Sequence, residues 1–277
     1  MRLIAIALAA LLTAAATPAL AETRNLGLTS YTRLVVRGDM QVEVTDSPRI
    51  SGRAEGPRDA LLALQVERQG DTLVLWQASE GPYGPVRASS GTLRVALSAQ
   101  GLQQVELRGG GRVRIARLRG DETSISLDGA STLDVANVET RRLVILQRGT
   151  GDVRVAGRAD AVEARAVGAG SLDLSRLATD TVRLNAVGSA SHRVQARRTA
   201  TLTLAGEAGA LVYGPARCTI TNSGAGRTQC GLDLAALATG AAVSEGAAVG
   251  VAPAIAAAPS GPVRRSVPQP PRTPRRR

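Results

Sequence analysis

The sequence predicts an all-β protein built as a parallel β-helix (a β-solenoid) with coils of about 18–20 residues. Three features share one register: a recurring glycine, a small residue two places after it, and apolar residues that alternate with polar ones on both sides. A period near twenty built from short strands is typical of solenoids, in which each coil buries its apolar residues only by stacking on its neighbours.

Seven glycines define the repeat, and the steps between them are 20, 20, 19, 20, 18 and 18 residues. We expect a sharp turn at each one, because glycine reaches positive φ without steric cost. The turn glycines are Gly109, Gly129, Gly149, Gly168, Gly188, Gly206 and Gly224. The small residues two places later, which let neighbouring backbones approach, are Gly111, Ser131, Gly151, Gly170, Ala190, Ala208 and Gly226.

The apolar residues around each turn are predicted to point inward. Val105 and Leu107 precede Gly109, for example, and Val113 and Ile115 follow it at alternate positions. Such alternation predicts strands with one buried face. A β-sandwich is the structural alternative, but it would not keep so regular a spacing over seven units.

Three earlier segments also have strand patterns, residues 34–44, 62–76 and 93–98. We expect them to extend the solenoid or to cap it. Residues 58–67 are the best candidate for a helix, and we interpret them as a short turn that leads into a strand.

The first 21 residues have the pattern of a secretory signal peptide. Arg2 precedes an apolar run over residues 3–12, and Ala19 and Ala21 form an A-x-A cleavage site, so the mature chain is predicted to begin at Glu22. A membrane anchor is the alternative, but the apolar run is short for a span. The prediction is an exported protein, periplasmic or at the cell surface, with no transmembrane span after the signal is removed.

The chain is predicted to divide into a signal peptide (1–21), a β-solenoid domain (22–230) and a flexible tail (231–277). The tail is rich in alanine, glycine and proline and ends in arginines, without apolar periodicity. Its basic end could contact anionic envelope components. A further hypothesis is that the solenoid is a structural spacer that holds this tail away from the envelope.

The net charge of +11 comes entirely from arginine, since the chain has no lysine. Residues 22–230 contain 27 arginines and 21 acidic residues, a net charge of +6. The chain has one tryptophan, three tyrosines and no phenylalanine, so it lacks the aromatic platforms on which single-stranded nucleic acids stack. Together with export, this composition argues against nucleic-acid binding.

The two cysteines, Cys218 and Cys230, are predicted to form a disulfide, because exported proteins fold in oxidising compartments. A metal pair is the weaker interpretation, since no second cluster of cysteine or histidine completes it. The sequence predicts no cofactor.

The stretch Gly149 to Val155, "GTGDVRV", resembles a phosphate-binding loop in its two glycines. A P-loop requires a lysine and a following helix, and a dinucleotide fingerprint requires a third glycine where this chain has Arg154. Here the glycines lead into a strand pattern. We therefore interpret the stretch as one of the solenoid turns.

Possible catalytic carboxylates are Asp134 and Asp173, which share one outward position in their coils, together with Asp152. Paired outward acids are typical of β-helices that act on polysaccharides. Arg154 occupies the same position in the intervening coil, so we favour a solvated face in which aspartate and arginine alternate.

His192, Trp76 and Tyr83 each have both a structural and a functional interpretation. His192 is the only histidine, so it cannot complete a metal site or a Ser-His-Asp triad, and its parity points inward. Gln147 also falls on the inward parity, where it would need buried hydrogen-bond partners unless the strand is locally offset. Trp76 and Tyr83 flank the loop 77–85, where they would either contact a ligand or cap the open end of the solenoid.

The segments "LVVRGDMQVEV", "GDTLVLW", "LQRGTGDVRV", "AVGAGSLDL" and the closing "LVYGPARC" resemble the autotransporter-adhesin head GIN domain family over about residues 30–230. The resemblance implies an exported β-helical domain, with adhesion suggested by the family name. It implies no catalytic residues. The departures are alanine or serine at positions 131, 190 and 208, Glu207 in a turn, and the arginine-rich tail.

The sequence therefore predicts an exported, non-enzymatic β-solenoid that acts as an envelope-associated adhesion, binding or structural module. Its partner would be an anionic surface polymer or another envelope component, because arginine binds acidic groups in bidentate fashion. The rival class is a polysaccharide-acting lyase or hydrolase. The outward arginines proposed for binding are Arg112, Arg114, Arg154, Arg165 and Arg183.

Overall fold

The computed structural model describes residues 22–78, 80–81, 84–85 and 92–233. It is a β-solenoid of about six turns of stacked parallel coils, which confirms the predicted fold class. The signal segment, Tyr83 and the tail beyond residue 233 lie outside the described residues. The elements are β1 (Glu22–Leu26), β2 (Arg33–Arg37), β3 (Gln41–Asp46), β4 (Gly52–Gly56), α1 (Arg58–Ala63), β5 (Leu64–Gln69), β6 (Thr72–Gln77), β7 (Glu80–Gly81), β8 (Gly84–Pro85), β9 (Arg94–Ala99), β10 (Gln104–Gly109), β11 (Arg112–Ile115), β12 (Leu118–Gly129), β13 (Thr132–Gly149), β14 (Asp152–Gly168), β15 (Leu172–Gly188), β16 (Ser191–Gln195), β17 (Thr199–Gly206), β18 (Gly209–Tyr213), β19 (Arg217–Asn222) and β20 (Thr228–Leu232).

Each coil contains one strand segment before the glycine turn and one after it. We call the two surfaces that these segments form the pre-glycine face and the post-glycine face. β10 pairs with β12 in parallel on the first, and β11 pairs with β13 in parallel on the second. The same register continues through β14 and β15. Side chains of one parity therefore lie above one another from coil to coil.

Buried aliphatic residues form continuous columns inside the coils. Fully burying one such side chain contributes roughly 1.5–3 kcal/mol relative to leaving it exposed. Because neighbouring coils supply most of the cover, no coil would bury its own apolar face alone. One column, in which every side chain is at most 2 % exposed, consists of Val105, Ile125, Ile145, Ala164, Leu184 and Leu202.

The order of the N-terminal coils differs from their order in the chain. β2 pairs in parallel with both β6 and β10, and β3 pairs in parallel with both β9 and β11. The coil made by β2 and β3 therefore lies between the β6–β9 coil and the β10–β11 coil. The early strands extend the solenoid, as expected from their pattern, but the chain reaches the outermost coil only after passing through the second.

Antiparallel strands and a short helix cover the N-terminal end of the stack. β5 pairs antiparallel with β6, β4 with β9, and β1 with β4. The segment interpreted as a turn is the six-residue helix α1, which begins after Pro57 and buries Ala60 and Leu61. Arg24 donates hydrogen bonds to the carbonyl oxygens of Leu61 (3.1 Å) and Leu64 (3.0 Å), which tie β1 to the helix. This cover protects strand edges that would otherwise be free to pair.

Candidate binding surface

The turn glycines form a spine along the solenoid. From Gly129 to Gly224, each faces the carbonyl oxygen of the glycine one coil earlier so closely that an added Cβ would overlap it. Gly224 belongs to the spine by this contact alone, since it is not among the glycines of positive φ. The others have φ between +76° and +144°: Gly109, Gly129, Gly149, Gly168, Gly188 and Gly206.

The amides of the "GTGDVRV" turn are committed to the neighbouring coil. The N–H groups of Thr150 and Gly151 both donate to the carbonyl oxygen of Gly129, each at 3.0 Å. The N–H of Asp152 donates to the carbonyl oxygen of Ser131 at 3.1 Å. A phosphate cradle needs amides that are free to point at the ligand. This turn instead uses its amides to hold the stack together.

The outward charges on the post-glycine face alternate in sign from strand to strand. The parallel register places each residue of this charge ladder beside the next. Opposite charges on neighbouring strands stabilise a sheet by a few tenths of a kcal/mol to about 1 kcal/mol per pair. The members, in order along the stack, are Glu43, Arg114, Asp134, Arg154, Asp173 and Arg193.

The aspartates considered as catalytic candidates have structural partners or arginine neighbours. Asp173 forms an ion pair with Arg193 at 3.6 Å and accepts hydrogen bonds from the N–H (3.1 Å) and Oγ (2.6 Å) of Ser175. Asp152 accepts from the N–H (3.0 Å) and Oγ (2.5 Å) of Ser171. Asp134 lies between Arg114 and Arg154, its register partners on the two neighbouring strands. These contacts favour the charge-ladder interpretation over a catalytic pair.

A groove of about 330 Å³ lies at the N-terminal end of the post-glycine face. It forms where β4, β9, β3 and β11 lie side by side. Four arginines and two glutamates give it a net charge of +2. The lining residues are Gln41, Val42, Glu43, Arg53, Glu55, Arg94, Val95, Ala96, Arg112 and Arg114. We call it the arginine groove.

Three arginines of this groove form no direct ion pair or side-chain hydrogen bond with another described residue, although Arg114 stands between Glu43 and Asp134 in the charge ladder. In the described part of the chain, Arg94, Arg112 and Arg114 make no side-chain hydrogen bond and no ion pair within 4.0 Å. Arg94 and Arg112 both align with Gln41, on its two neighbouring strands. Strand geometry separates those two by roughly 10 Å across the sheet, and Arg112 from Arg114 by roughly 7 Å along β11. Three donor groups are thus available to an outside partner.

The five arginines proposed from the sequence do not share one surface. Arg112, Arg114 and Arg154 lie on the post-glycine face, whereas Arg165 and Arg183 lie on β14 and β15 segments of the pre-glycine face. Arg165 is within 3.5 Å of Glu163, an ion pair between largely exposed side chains that contributes little.

Trp76 lies on the outer surface of β6, half-buried, with Gln65 of the capping strand on one side and Arg37 on the other. It lines a second groove of about 380 Å³ at the same end of the stack. It therefore sits where the capping strand meets the first coils, which fits both interpretations of this residue. The neighbouring loop and Tyr83 fall outside the described residues.

Two polar residues occupy inward positions, as their parity predicts. Gln147 is 2 % exposed, and its Nε2 donates to the carbonyl oxygens of Gly151 and, at 3.2 Å, Ser171. The Nε2 group thus finds partners across the glycine turn, whereas the buried Oε1 has no hydrogen-bond partner among the described residues. His192 is also 2 % exposed, and burial lowers its pKa from 6.5 to about 4.

Buried His192 makes stability depend on pH. Its folded-state pKa (about 4) is below the unfolded value of 6.5, so the unfolded chain binds the extra proton between these values. The stability is fully present above pH 6.5 and is lost as the pH falls toward 4, by about 3 kcal/mol. We expect His192→Leu to remove this part of the pH dependence in urea unfolding at pH 7 and pH 4. Equal pH dependence in both proteins would contradict the assignment.

Cys218 and Cys230 form the predicted disulfide in the last coil. Cys218 is the register partner of Ala200 on the pre-glycine face, and Cys230 is the register partner of Val212 on the post-glycine face. Both register neighbours are fully buried, so the two cysteines continue inward columns. The disulfide therefore crosses the interior of the last coil and links its two strands.

Two features of the surface and spine were missed at the level of sequence. Gly38 belongs to the spine, because a Cβ on Gly109 would lie 3.1 Å from the backbone of Gly38. The signal was present, since Leu34, Val36, Val42 and Val44 flank Gly38 as in the later coils. Arg94 also had a signal in the sequence, since Gly91 precedes it by three residues as Gly109 precedes Arg112.

Within the described residues, no group of three or more His, Cys, Asp or Glu side chains is arranged to hold a metal ion. No helix in the same part of the chain is both long enough and apolar enough to cross a membrane.

Comparison with solved structures shows the same fold in bacterial proteins, two of them named as putative adhesins and one as a putative lipid binding protein. A putative adhesin from Bacteroides fragilis has a TM-score of 0.68 at 18 % identity, covering 76 % of this chain and 97 % of that one. A putative adhesin from Parabacteroides merdae has a TM-score of 0.56 at 16 % identity, covering 76 % and 95 %. A putative lipid binding protein from Parabacteroides distasonis has a TM-score of 0.57 at 15 % identity, covering 76 % and 96 %.

At these identities the structural likeness shows the fold alone. No curated protein matches the sequence. A family model described as "Putative auto-transporter adhesin, head GIN domain" matches residues 30–216, which is most of the solenoid. The glycine spine, the stacked parallel coils and this match lead to one conclusion: the chain belongs to the auto-transporter adhesin head GIN domain family.

Proposed function

We propose that this chain is an exported, non-enzymatic adhesin-like module of the cell envelope, and that it binds an anionic surface polymer through the arginine groove. The observation that carries the proposal is the set of three arginines without a direct ion pair or side-chain hydrogen bond among the described residues, Arg94, Arg112 and Arg114, on one open face. Family membership supports adhesion in general. The ligand class follows from the groove.

Guanidinium groups suit this task because each binds a carboxylate or sulfate in bidentate fashion and stays charged at any physiological pH. The separations of roughly 7 and 10 Å within the groove span more than one sugar unit of a polymer. Several weak contacts to one chain then add through effective concentration. A polymer with a repeating acidic group fits this arrangement better than a single small anion.

The contacts of the aspartates on the post-glycine face support a binding surface rather than a hydrolase or lyase site. The carboxylates Asp152 and Asp173 accept hydrogen bonds from serines, and Asp134 has arginine neighbours on both sides. A glycosidase needs two carboxyl groups that are free to act as acid and as base or nucleophile. These partners favour the binding module.

We also propose that residues 1–21 are a signal peptide cleaved between Ala21 and Glu22, that residues 22–230 form the binding domain, and that residues 231–277 are a separate tail. β20 ends at Leu232, close to the proposed start of the tail. N-terminal sequencing of the exported protein tests the first boundary, and any start other than Glu22 would contradict it.

The test of function is binding of the exported protein to immobilised polygalacturonate. Removing the three charges in the variant Arg94→Gln/Arg112→Gln/Arg114→Gln is expected to weaken binding about tenfold or more, since each charge-assisted hydrogen bond is worth about 1.5–3 kcal/mol. Binding by the unaltered protein should also weaken as salt rises, because the groove is exposed.

The matched control is Arg148→Gln/Arg165→Gln/Arg183→Gln, which removes the same charge from the pre-glycine face. Unchanged binding in the control would place the site at the groove. Equal loss in both variants would mean that net charge alone attracts the polymer, and the proposed groove would be wrong. If binding changes neither with salt nor with the two triple substitutions, an anionic partner is excluded.

A further inference from the structure

The C-terminal end of the solenoid has strand edges that no described strand covers. β19 pairs only with β17, and β20 pairs only with β18. At the other end of the stack, β1, β4, β5 and α1 cover the outermost coil. Among the described elements, the two ends are therefore unlike: one is capped, and the other presents free backbone N–H and C=O groups.

Among the described residues, the interior is also less covered at this end. Ile220 continues the inward column above Leu202, its register partner on β17. Leu202 is fully buried, whereas Ile220 is 38 % exposed. An inward-pointing aliphatic side chain with no coil above it loses part of the burial that stabilises every other member of its column. The end of the column is thus an apolar surface framed by strand edges.

This edge has few of the features that usually prevent pairing. β19 has one charged residue, Arg217 at its start, and residues 218–226, "CTITNSGAG", contain no charged residue and no proline. Natural proteins protect exposed edge strands with charged side chains, prolines, bulges or a covering element. An unprotected edge beside an exposed aliphatic residue, in a fold that protects its other end, indicates an edge used for association.

We propose that a second copy of this chain docks on this edge, with β19 of the two copies paired antiparallel about a two-fold axis at Ile220. A strand edge always complements an antiparallel copy of itself, so the surface needs no other partner chemistry. Thr219 would lie opposite Thr221 of the partner subunit, and Ile220 opposite Ile220 of the partner subunit. No like charges face each other in this register, and the two open interiors cover one another.

The pairing closes on itself. Because both copies use the same surface, the contact is isologous and gives a dimer rather than a filament. The capped N-terminal ends then point outward, and with them the two arginine grooves. The dimer does not depend on what the grooves bind, so it can be tested separately from the proposed function.

The test is the mass of the exported protein by size-exclusion chromatography with light scattering. We expect a dimer that dissociates with Ile220→Asp, the measured mass falling to half. The control is Val187→Asp, an exposed aliphatic residue (52 %) in the middle of the pre-glycine face, which should leave the dimer intact. Ile220→Thr, which keeps a β-branched side chain, replaces Ile220→Asp if the charged variant fails to fold, and should weaken the dimer at least tenfold.

Two results would overturn the proposal. A monomer for the unaltered protein at all concentrations would mean that the edge is free or is covered from within the same chain. A dimer that persists in both Ile220 variants would place the contact elsewhere. Polygalacturonate binding by a monomeric variant, in contrast, bears only on the arginine groove.

Discussion

Gly168→Ala is expected to lower the free energy of unfolding by about 4 kcal/mol, a loss that follows from strain of about 1–3 kcal/mol plus overpacking of similar size. Gly168 has φ +125°, a conformation that alanine does not adopt without strain. Its added Cβ would also overlap the carbonyl oxygen of Gly149. That oxygen accepts the N–H groups of Ala169 and Gly170, each at 3.1 Å, so the coils cannot separate without losing hydrogen bonds.

The matched control is Gly70→Ala. Gly70 also has positive φ (+61°), but nothing lies within 4 Å of its added Cβ. The expected loss there is about 1–2 kcal/mol, from backbone strain alone. Urea unfolding of the two variants separates strain from the contact between coils. Equal losses would show that close packing of the spine contributes nothing, and the account of the turn would then be wrong.

Removing the disulfide is expected to have the second largest effect. Cys218→Ala/Cys230→Ala should lower stability by about 3 kcal/mol, the value expected for a loop of this length in the chain-entropy model. The loss should be concentrated in the last coil, because β19 and β20 each have one strand neighbour and cover each other poorly. Amide hydrogen exchange should accelerate in these strands first and leave β13 and β14 protected.

Reduction provides the control for this variant. A reductant should lower the melting temperature of the unaltered protein to that of the double variant, and should leave the variant unchanged. A melting temperature that does not respond to reductant would show that the last coil is held by its strand pairing alone.

The inward positions were predictable because they follow from local parity. His192 and Gln147 lie inside, although neither is apolar, since the backbone alternation that aims Val113 and Leu133 inward aims them inward too. The Nε2 hydrogen bonds of Gln147 go to Gly151, four residues later across the same turn, and to Ser171, which only the stack brings to it. Parity gives direction, whereas the turn and the neighbouring coil supply the partners.

The arginine groove was not predictable from the period. Arg94 and Arg112 are 18 residues apart, one coil length, which would place them on adjacent strands. The structure inserts β3 between β9 and β11, so Gln41 separates the two arginines. The groove also depends on β4, which lies antiparallel beside β9. No repeat in the sequence records this insertion, because it concerns which coil stacks on which.

The coil follows from local features of the sequence: its length, its glycine turn, the side chains that face in or out, and the pair of cysteines that link the last turn. These depend on φ at glycine and on the two-residue period of a strand, both of which are local. The order of the N-terminal coils, and with it the meeting of Arg94 with Arg112 and Arg114, follows only from the tertiary structure. Both depend on contacts between distant segments, because β2 and β3 pair with β6 and β9 on one side and with β10 and β11 on the other.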